Sequence, residues 1–331
     1  MASEQEIAKQ ALETYTSVGY VIVLPISTLS VMFLVYGIYI ILFGLSLNVL
    51  WHRHETSASI WYMRWTIALF VLSTIFNASV VWMYMGQTLD EFIAVKTSDY
   101  IPYFEVLLGE NIPSEWIARL NLNVFTAAMI SCIFDYLMVH RCHVIWGYSK
   151  WILYPFALVV LVTNVMAFVL HGIEMAAYQH HNYTPFMRSR NIIEVLGVIS
   201  AVYTSLLTLL TAGRIWWTVH QVGQITGSKL FTKYKIFVAT ILESGLLYSI
   251  VVVVGHVFPA SIDPNNTGII PFDFSAFVQM AGIAQTVIIV RIAYGQAVES
   301  VQQMVSTLQF AEGANNSQQQ SMAAHGTIDL Q

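Results

Sequence analysis

The sequence predicts an all-α polytopic membrane protein, a bundle of seven transmembrane helices, on three observations. Only 10% of its 331 residues are charged and 56% are apolar, whereas soluble domains carry about 25% charged residues. Seven apolar stretches are each long enough, at about 20 residues or more, to cross the hydrocarbon core as a helix. Lysine and arginine divide unequally between the two sides of that bundle, which sets its orientation. The chain could hold two soluble domains, but the stretches leave room for one membrane domain at 20–295, with an outer segment at 1–19 and a cytoplasmic tail at 296–331.

Met1 to Thr16 carries Glu4, Glu6, Glu13 and Lys9, without the basic start and short apolar core of a cleavable signal peptide. The first span, near 20–50, is therefore expected to insert unaided, and Pro25 can kink it without ending it. The second lies near 60–86. An outer loop follows at 87–114, mixing Asp90, Glu91, Asp99, Glu105 and Glu110 with Tyr100, Tyr103 and Phe104. It reads either as a cover over the outer mouth of the bundle or as a solvated connector with interfacial aromatics.

The third span, near 115–146, is expected to start from a Ser114 cap after Pro113. Spans four to seven fall near 151–171, 191–214, 235–258 and 273–294. Beyond Gln296, the helical spacing of Val298, Val301, Met304 or Val305, and Leu308 predicts a short helix against the membrane, and 311–331 reads as disordered. No internal repeat suggests the paired halves of a transporter.

Arg53, Arg64, Arg141, Lys150, Arg214, Lys229, Lys233, Lys235 and Arg291 fall on one side, nine cations against five on the other: Lys9, Lys96, Arg119, Arg188 and Arg190. The nine mark the cytoplasmic side, so the N-terminus is outside and the C-terminus inside. The glycosylation sequons at Asn182 and Asn265 then fall outside, whereas the one at Asn315 falls inside and should stay bare. The net charge of -5 includes no basic stripe, which sets nucleic acid aside. Cys132 and Cys142 lie on one predicted helix with roughly 15 Å of rise between them, too far to pair. Both read as core thiols, with palmitoylation the alternative for Cys142.

Ionisable groups within a span are costly unless paired, which singles out Asp135 in the third span and Glu243 in the sixth. Both are expected roughly 12 to 16 Å above the cytoplasmic surface. Below them come Arg141, Arg214 and Arg291, at the inner ends of three spans. These five residues read as a network whose breaking lets the helices part, or as a permanent structural network with arginines that snorkel to the headgroups. Towards the outer side, His171, Glu194, His256 and Asp273, with Trp82 and Tyr84, read as a mouth for a small ligand or as interfacial anchors. Asn77, Asn121, Asn123 and Asn164 read as hydrogen-bonding contacts between helices.

Other chemistries lack their residues. Retinal needs a mid-membrane lysine, and every lysine here lies in a loop, the N-terminal tail or at the edge of a span. The histidines lie at span ends or in loops, so neither haem carriage nor a metal centre is expected. No glycine-rich phosphate loop is present. No cofactor and no catalytic residue is assigned.

Four stretches carry a resemblance: "FDYLMVHRCHVIWG" from Phe134, "AGRIWW" from Ala212, "ILESGLLYS" from Ile241 and "AGIAQTVIIVRIAY" from Ala281. In this order they resemble a large group of seven-span, loosely receptor-like integral membrane proteins of mushroom-forming fungi. That group's third-span motif has tyrosines where this chain has His140 and His143. The resemblance implies the seven-span topology, and its recurring residues fall on Asp135, Arg141, Cys142, Trp146, Gly147, Arg214, Trp216, Glu243, Ser244, Gly245, Tyr248, Thr286 and Arg291.

The expectation is a receptor-like protein of the plasma membrane that senses a small molecule and engages a cytoplasmic signalling partner. One alternative is a transporter or proton-coupled carrier using Asp135 and Glu243. The other is an intramembrane enzyme acting on a lipid or terpenoid.

Overall fold

The computed structural model describes residues 18–51, 57–108, 112–179, 183–226, 250 and 278–290, which are almost wholly helical with no strand among them. The helices are α1 (Leu24–Trp51), α2 (Ser57–Thr97), α3 (Ile101–Leu108), α4 (Ser114–Ile145), α5 (Lys150–Gln179), α6 (Tyr183–Thr226) and α7 (Val278–Val290). Five of them, α1, α2, α4, α5 and α6, are long and apolar enough to cross a membrane. The apolar α7 falls within the seventh predicted span, and the sixth predicted span lies, but for Ile250, outside the described residues. The tail at 296–331 also lies outside them.

Pro25 does not interrupt α1 in mid-span. A π-helical turn, Gly19–Val23, precedes it, and Pro25 occupies the second position of the α-helix. Proline has no N–H to return to the carbonyl four residues back and its ring crowds that carbonyl. A widened turn just before the ring relieves both problems.

At 41 residues, α2 is about 60 Å long, roughly twice the hydrocarbon thickness. The expected loop from residue 87 is helix as far as Thr97, because nothing from Gly86 to Thr97 breaks a helix and Leu89, Phe92, Ile93 and Val95 continue it. A span's polarity changes where the bilayer ends, but its backbone has no reason to stop there. The chain turns at Ser98, whose φ is +54°, and returns as α3, with Tyr103 and Ala94 buried together and Tyr100 and Phe104 packed against them. The Tyr103 hydroxyl donates to Glu91 Oε1 at 2.7 Å, and Gln87 Nε2 donates to the same oxygen at 2.9 Å.

α4 starts at Ser114, but Pro113 occupies the capping position in extended conformation, and no side chain caps the helix. The Pro113 carbonyl accepts from the Trp116 and Ile117 amides, while Glu115 in the first turn bonds Arg119 at 3.1 Å. The other end is a Schellman closure. Gly147 N–H donates to the Val144 carbonyl at 3.0 Å and Tyr148 N–H to the His143 carbonyl at 2.9 Å. Gly147 and Tyr148 both have positive φ, 64° and 62°. The His143 ring packs edge-on against Tyr148.

The centre of the bundle is α4, which packs against α2, α5 and α6, while α1 packs on α2 and α5 on α6. Its buried residues, among them Ile130, Phe134, Leu137 and Met138, join Leu69 and Phe76 of α2, Leu207 of α6 and Ala281 of α7 in one core. α7 approaches closely: a Cβ on Gly282 would lie 2.6 Å from the Tyr39 hydroxyl oxygen of α1. Asn77 of α2 accepts from Gln279 of α7 at 2.6 Å, and Asn123 of α4 donates to Ser79 of α2 at 3.3 Å. Mid-helix hydroxyls such as Thr66, Thr208 and Thr211 bond the carbonyl four residues earlier, which satisfies them without water.

The outward faces are apolar. On α5, Trp151, Tyr154, Leu158, Leu161, Val162, Val165 and Val169 are exposed at helical spacing, Trp151 to 90%. In water a stripe of this extent would drive association. Against lipid tails it carries no such cost, and the chain is accordingly a membrane protein.

Candidate ligand cavity

A cavity of about 250 Å³ lies between α4, α5, α6 and α7. Small side chains on facing helices create it: Ala127, Ala128 and Ser131 of α4, Ala167 of α5, Gly197 and Ser200 of α6, and Ala281 of α7. Val124, Ile130, Phe168, Ile193, Leu196 and Val278 complete a mainly apolar wall. Along α4 the lining runs from Asn123 to Asp135, about 18 Å of rise. Asn123, His171 and Ile193 mark the end of the cavity nearer the Ser114, Gln179 and Tyr183 termini of their helices, and Asp135 marks the deep end.

Asp135 is 2% exposed. Its Oδ2 accepts two hydrogen bonds from neighbouring helices, one from Asn164 Nδ2 of α5 at 2.9 Å and one from the Tyr203 hydroxyl of α6 at 2.5 Å. Ser200 Oγ donates to the Tyr203 oxygen at 3.2 Å, and Asn164 also bonds the Val160 carbonyl of its own helix at 2.9 Å. A single carboxylate thus ties three helices together at the cavity floor. The donors offset part of the cost of removing it from water, because a buried carboxylate is tolerated only when it is hydrogen-bonded or paired.

At the opposite end His171 Nδ1 lies 3.3 Å from Glu174 Oε2, one turn along α5. Of the six residues expected at an outer mouth, His171 lines this cavity. Trp82 is exposed on α2 with the Arg119 guanidinium over its ring at 5.6 Å, and Arg119 runs across Gly86, where a Cβ would collide with it. Tyr84 is buried in the main core. The Glu194 side chain, His256 and Asp273 lie outside the described residues, as do both outer sequons, Asn182 and Asn265.

Arg141 sits six positions after Asp135 on α4, about 9 Å nearer the C-terminal end of that helix. It is 6% exposed, and its Nη2 donates to the Gln285 carbonyl of α7 at 3.3 Å. Arg214 of α6 lies over the ring of Trp146, the C-cap residue of α4, at 5.2 Å. Glu243 and Arg291 lie outside the described residues. Comparison with protein-family models, curated proteins and solved structures finds no match.

Among the described residues no group of three or more His, Cys, Asp or Glu side chains could hold a metal ion. Cys142 is buried and Cys132 half-buried, both as free thiols.

Sequence reasoning identified Asp135 by its cost and Asn164 as an interhelical contact, but missed Tyr203, Ser200 and the cavity. The available signal was the small residues: Ala127 and Ser131 one turn apart on α4, and Gly197 and Ser200 on α6, at the level where Asp135 needs partners.

Proposed function

We propose that this chain is a seven-span, receptor-like protein of the plasma membrane, with its N-terminus outside and its C-terminus in the cytoplasm. It takes a small, largely apolar molecule into the cavity above Asp135. The observation that carries this reading is the cavity itself, apolar along its walls, floored by a hydrogen-bonded carboxylate and extending towards the end of the bundle that the lysine and arginine distribution assigns to the outside. The order of the four motifs supports kinship with the seven-span group of mushroom-forming fungi.

Occupancy is transmitted along α4. A ligand that displaces Asp135 relative to Asn164 and Tyr203 shifts α4 against α5 and α6, and six residues further on Arg141 bridges the same helix to α7. Glu243, Arg214 and Arg291 belong to the inner network that responds, and a cytoplasmic partner reads the rearranged helix ends. Spin labels at Val144→Cys of α4 and Thr218→Cys of α6, in nanodiscs and with the native cysteines replaced, test this. Glu243→Gln should move the distance distribution by about 2 Å, the scale of helix shifts in switching proteins; an unchanged distribution refutes the switch.

The hydroxyl chain from Ser200 through Tyr203 to Asp135 favours a second reading, a proton-coupled carrier. Proton-driven uptake into proteoliposomes, abolished by Asp135→Asn, would replace the receptor by the carrier.

A further inference from the structure

The cavity floor holds a buried carboxyl group, Asp135, that has no cationic partner among the described residues. Among the described residues the acid–base contacts are the Arg119–Glu115 ion pair and the His171 ring beside Glu174, and neither involves Asp135. The two groups bonded to Asp135, Asn164 and Tyr203, are neutral donors and both address Oδ2. They hydrogen-bond the carboxyl group without supplying a counter-charge, so a cation entering the cavity would meet an unpaired acid at its floor. His171, the one histidine of the lining, stands at the opposite end beside its own carboxylate, Glu174. The walls between are mainly apolar, with the hydroxyls of Ser131, Thr163 and Ser200 among them and no further charged group.

From this arrangement we infer that the ligand is a small amphipathic cation, an amine on an apolar body, whose ammonium group pairs with Asp135 while the body fills the space lined by Ala128, Ala167 and Leu196. This inference rests on the reading of the cavity as a binding site. An ammonium brings both a positive charge and up to three donors, enough for the roughly two acceptor sites that Asn164 and Tyr203 leave on the Asp135 carboxylate. A hydroxyl brings a hydrogen bond without charge, and an anionic ligand would meet repulsion. Size follows from volume: an apolar cavity of about 150 Å³ accommodates benzene, so about 250 Å³ suits a molecule of about ten non-hydrogen atoms.

The test uses the full chain in nanodiscs with two radiolabelled probes of matched size, 2-phenylethylamine and 2-phenylethanol, with partition into empty discs subtracted. The amine should bind displaceably and at least tenfold more tightly than the alcohol. Asp135→Asn should weaken the amine at least tenfold and leave the alcohol within about twofold, which also shows that the variant is folded. Ala167→Trp, which fills the cavity, should abolish both. Alcohol binding without amine preference, or a preference that survives Asp135→Asn, overturns the cationic ligand while the cavity reading stands. Displaceable binding of neither probe to the wild-type chain overturns both.

Discussion

Asp135 is held by hydrogen bonds that a single atom can remove. Tyr203→Phe deletes one donor to Oδ2 and leaves the shape of the site intact, so the loss reads as the hydrogen bond to a buried charged group, about 1.5 to 3 kcal/mol. Asn164→Leu removes the other. Because both donors serve one oxygen, the double variant should not equal the sum of the two, and thermal unfolding of the four proteins in one detergent measures the coupling. Additivity would mean that the carboxylate does not join α5 to α6. The pair Gln279 and Asn77 makes a similar link between α7 and α2. Gln279→Leu should cost about 0.6 to 2 kcal/mol, the range for hydrogen bonds between membrane helices, and an unchanged unfolding midpoint would count against the placement of α7.

Helix ends and close approaches decide how the elements meet. Gly147 closes α4 with φ of +64°, so Gly147→Ala should destabilise by about 1 to 2 kcal/mol, the cost of a left-handed conformation for a residue with a Cβ. Thermal unfolding reads it, and a neutral result would argue against the Schellman closure. Tyr148 takes the same strained region with a full side chain; its amide bond to His143 and the His143 ring against it hold it there. On the far side, α3 is attached to the end of α2 by a small contact, Tyr103 and Ala94 with the Glu91 hydrogen bond at its centre. Tyr103→Phe should raise amide exchange in α3 severalfold without lowering the unfolding midpoint of the bundle, because so small an element opens locally. Equal exchange in variant and wild type would show that burial alone holds α3.

For the molecule as a whole, the decisive property is its orientation. Glycan addition at Asn182 and Asn265, and access of a membrane-impermeant reagent to a cysteine at Lys96 but not at Lys150 in intact cells, are the outcomes expected of an outside N-terminus. The reverse pattern of access would invert the bundle and place the His171 end of the cavity in the cytoplasm. Cohesion comes from packing: apolar burial drives helices together weakly when the alternative solvent is lipid. The close approach of Gly282 to Tyr39 is therefore worth more here than its area suggests, and the interhelical bonds from Asn77, Asn123 and Asn164 add to it.

Much of this was legible in the chain as written. Apolar length placed the five long helices and α7, with both ends of α4 to within one residue, because a membrane helix must satisfy every backbone group internally and so declares itself by composition; it did not find α3, and it ended α5 and α6 several residues short. Membrane cost singled out Asp135 and Arg141 for the same reason. The extension of α2 beyond Gly86 was hidden, since hydropathy records where the bilayer ends and not where the helix does. So was the separation of Asp135 from Arg141 into a cavity floor and an α7 contact. Which neighbours a buried group finds depends on how helices rotate and cross, and small residues such as Ala127, Gly197 and Ala281 settle that by how closely they let backbones approach. Composition by itself determined that this chain lives in a membrane and where its costly charges lie. Only the packing of α4 against α5, α6 and α7 decided that Asp135 would face a cavity, with Asn164 and Tyr203 as its partners.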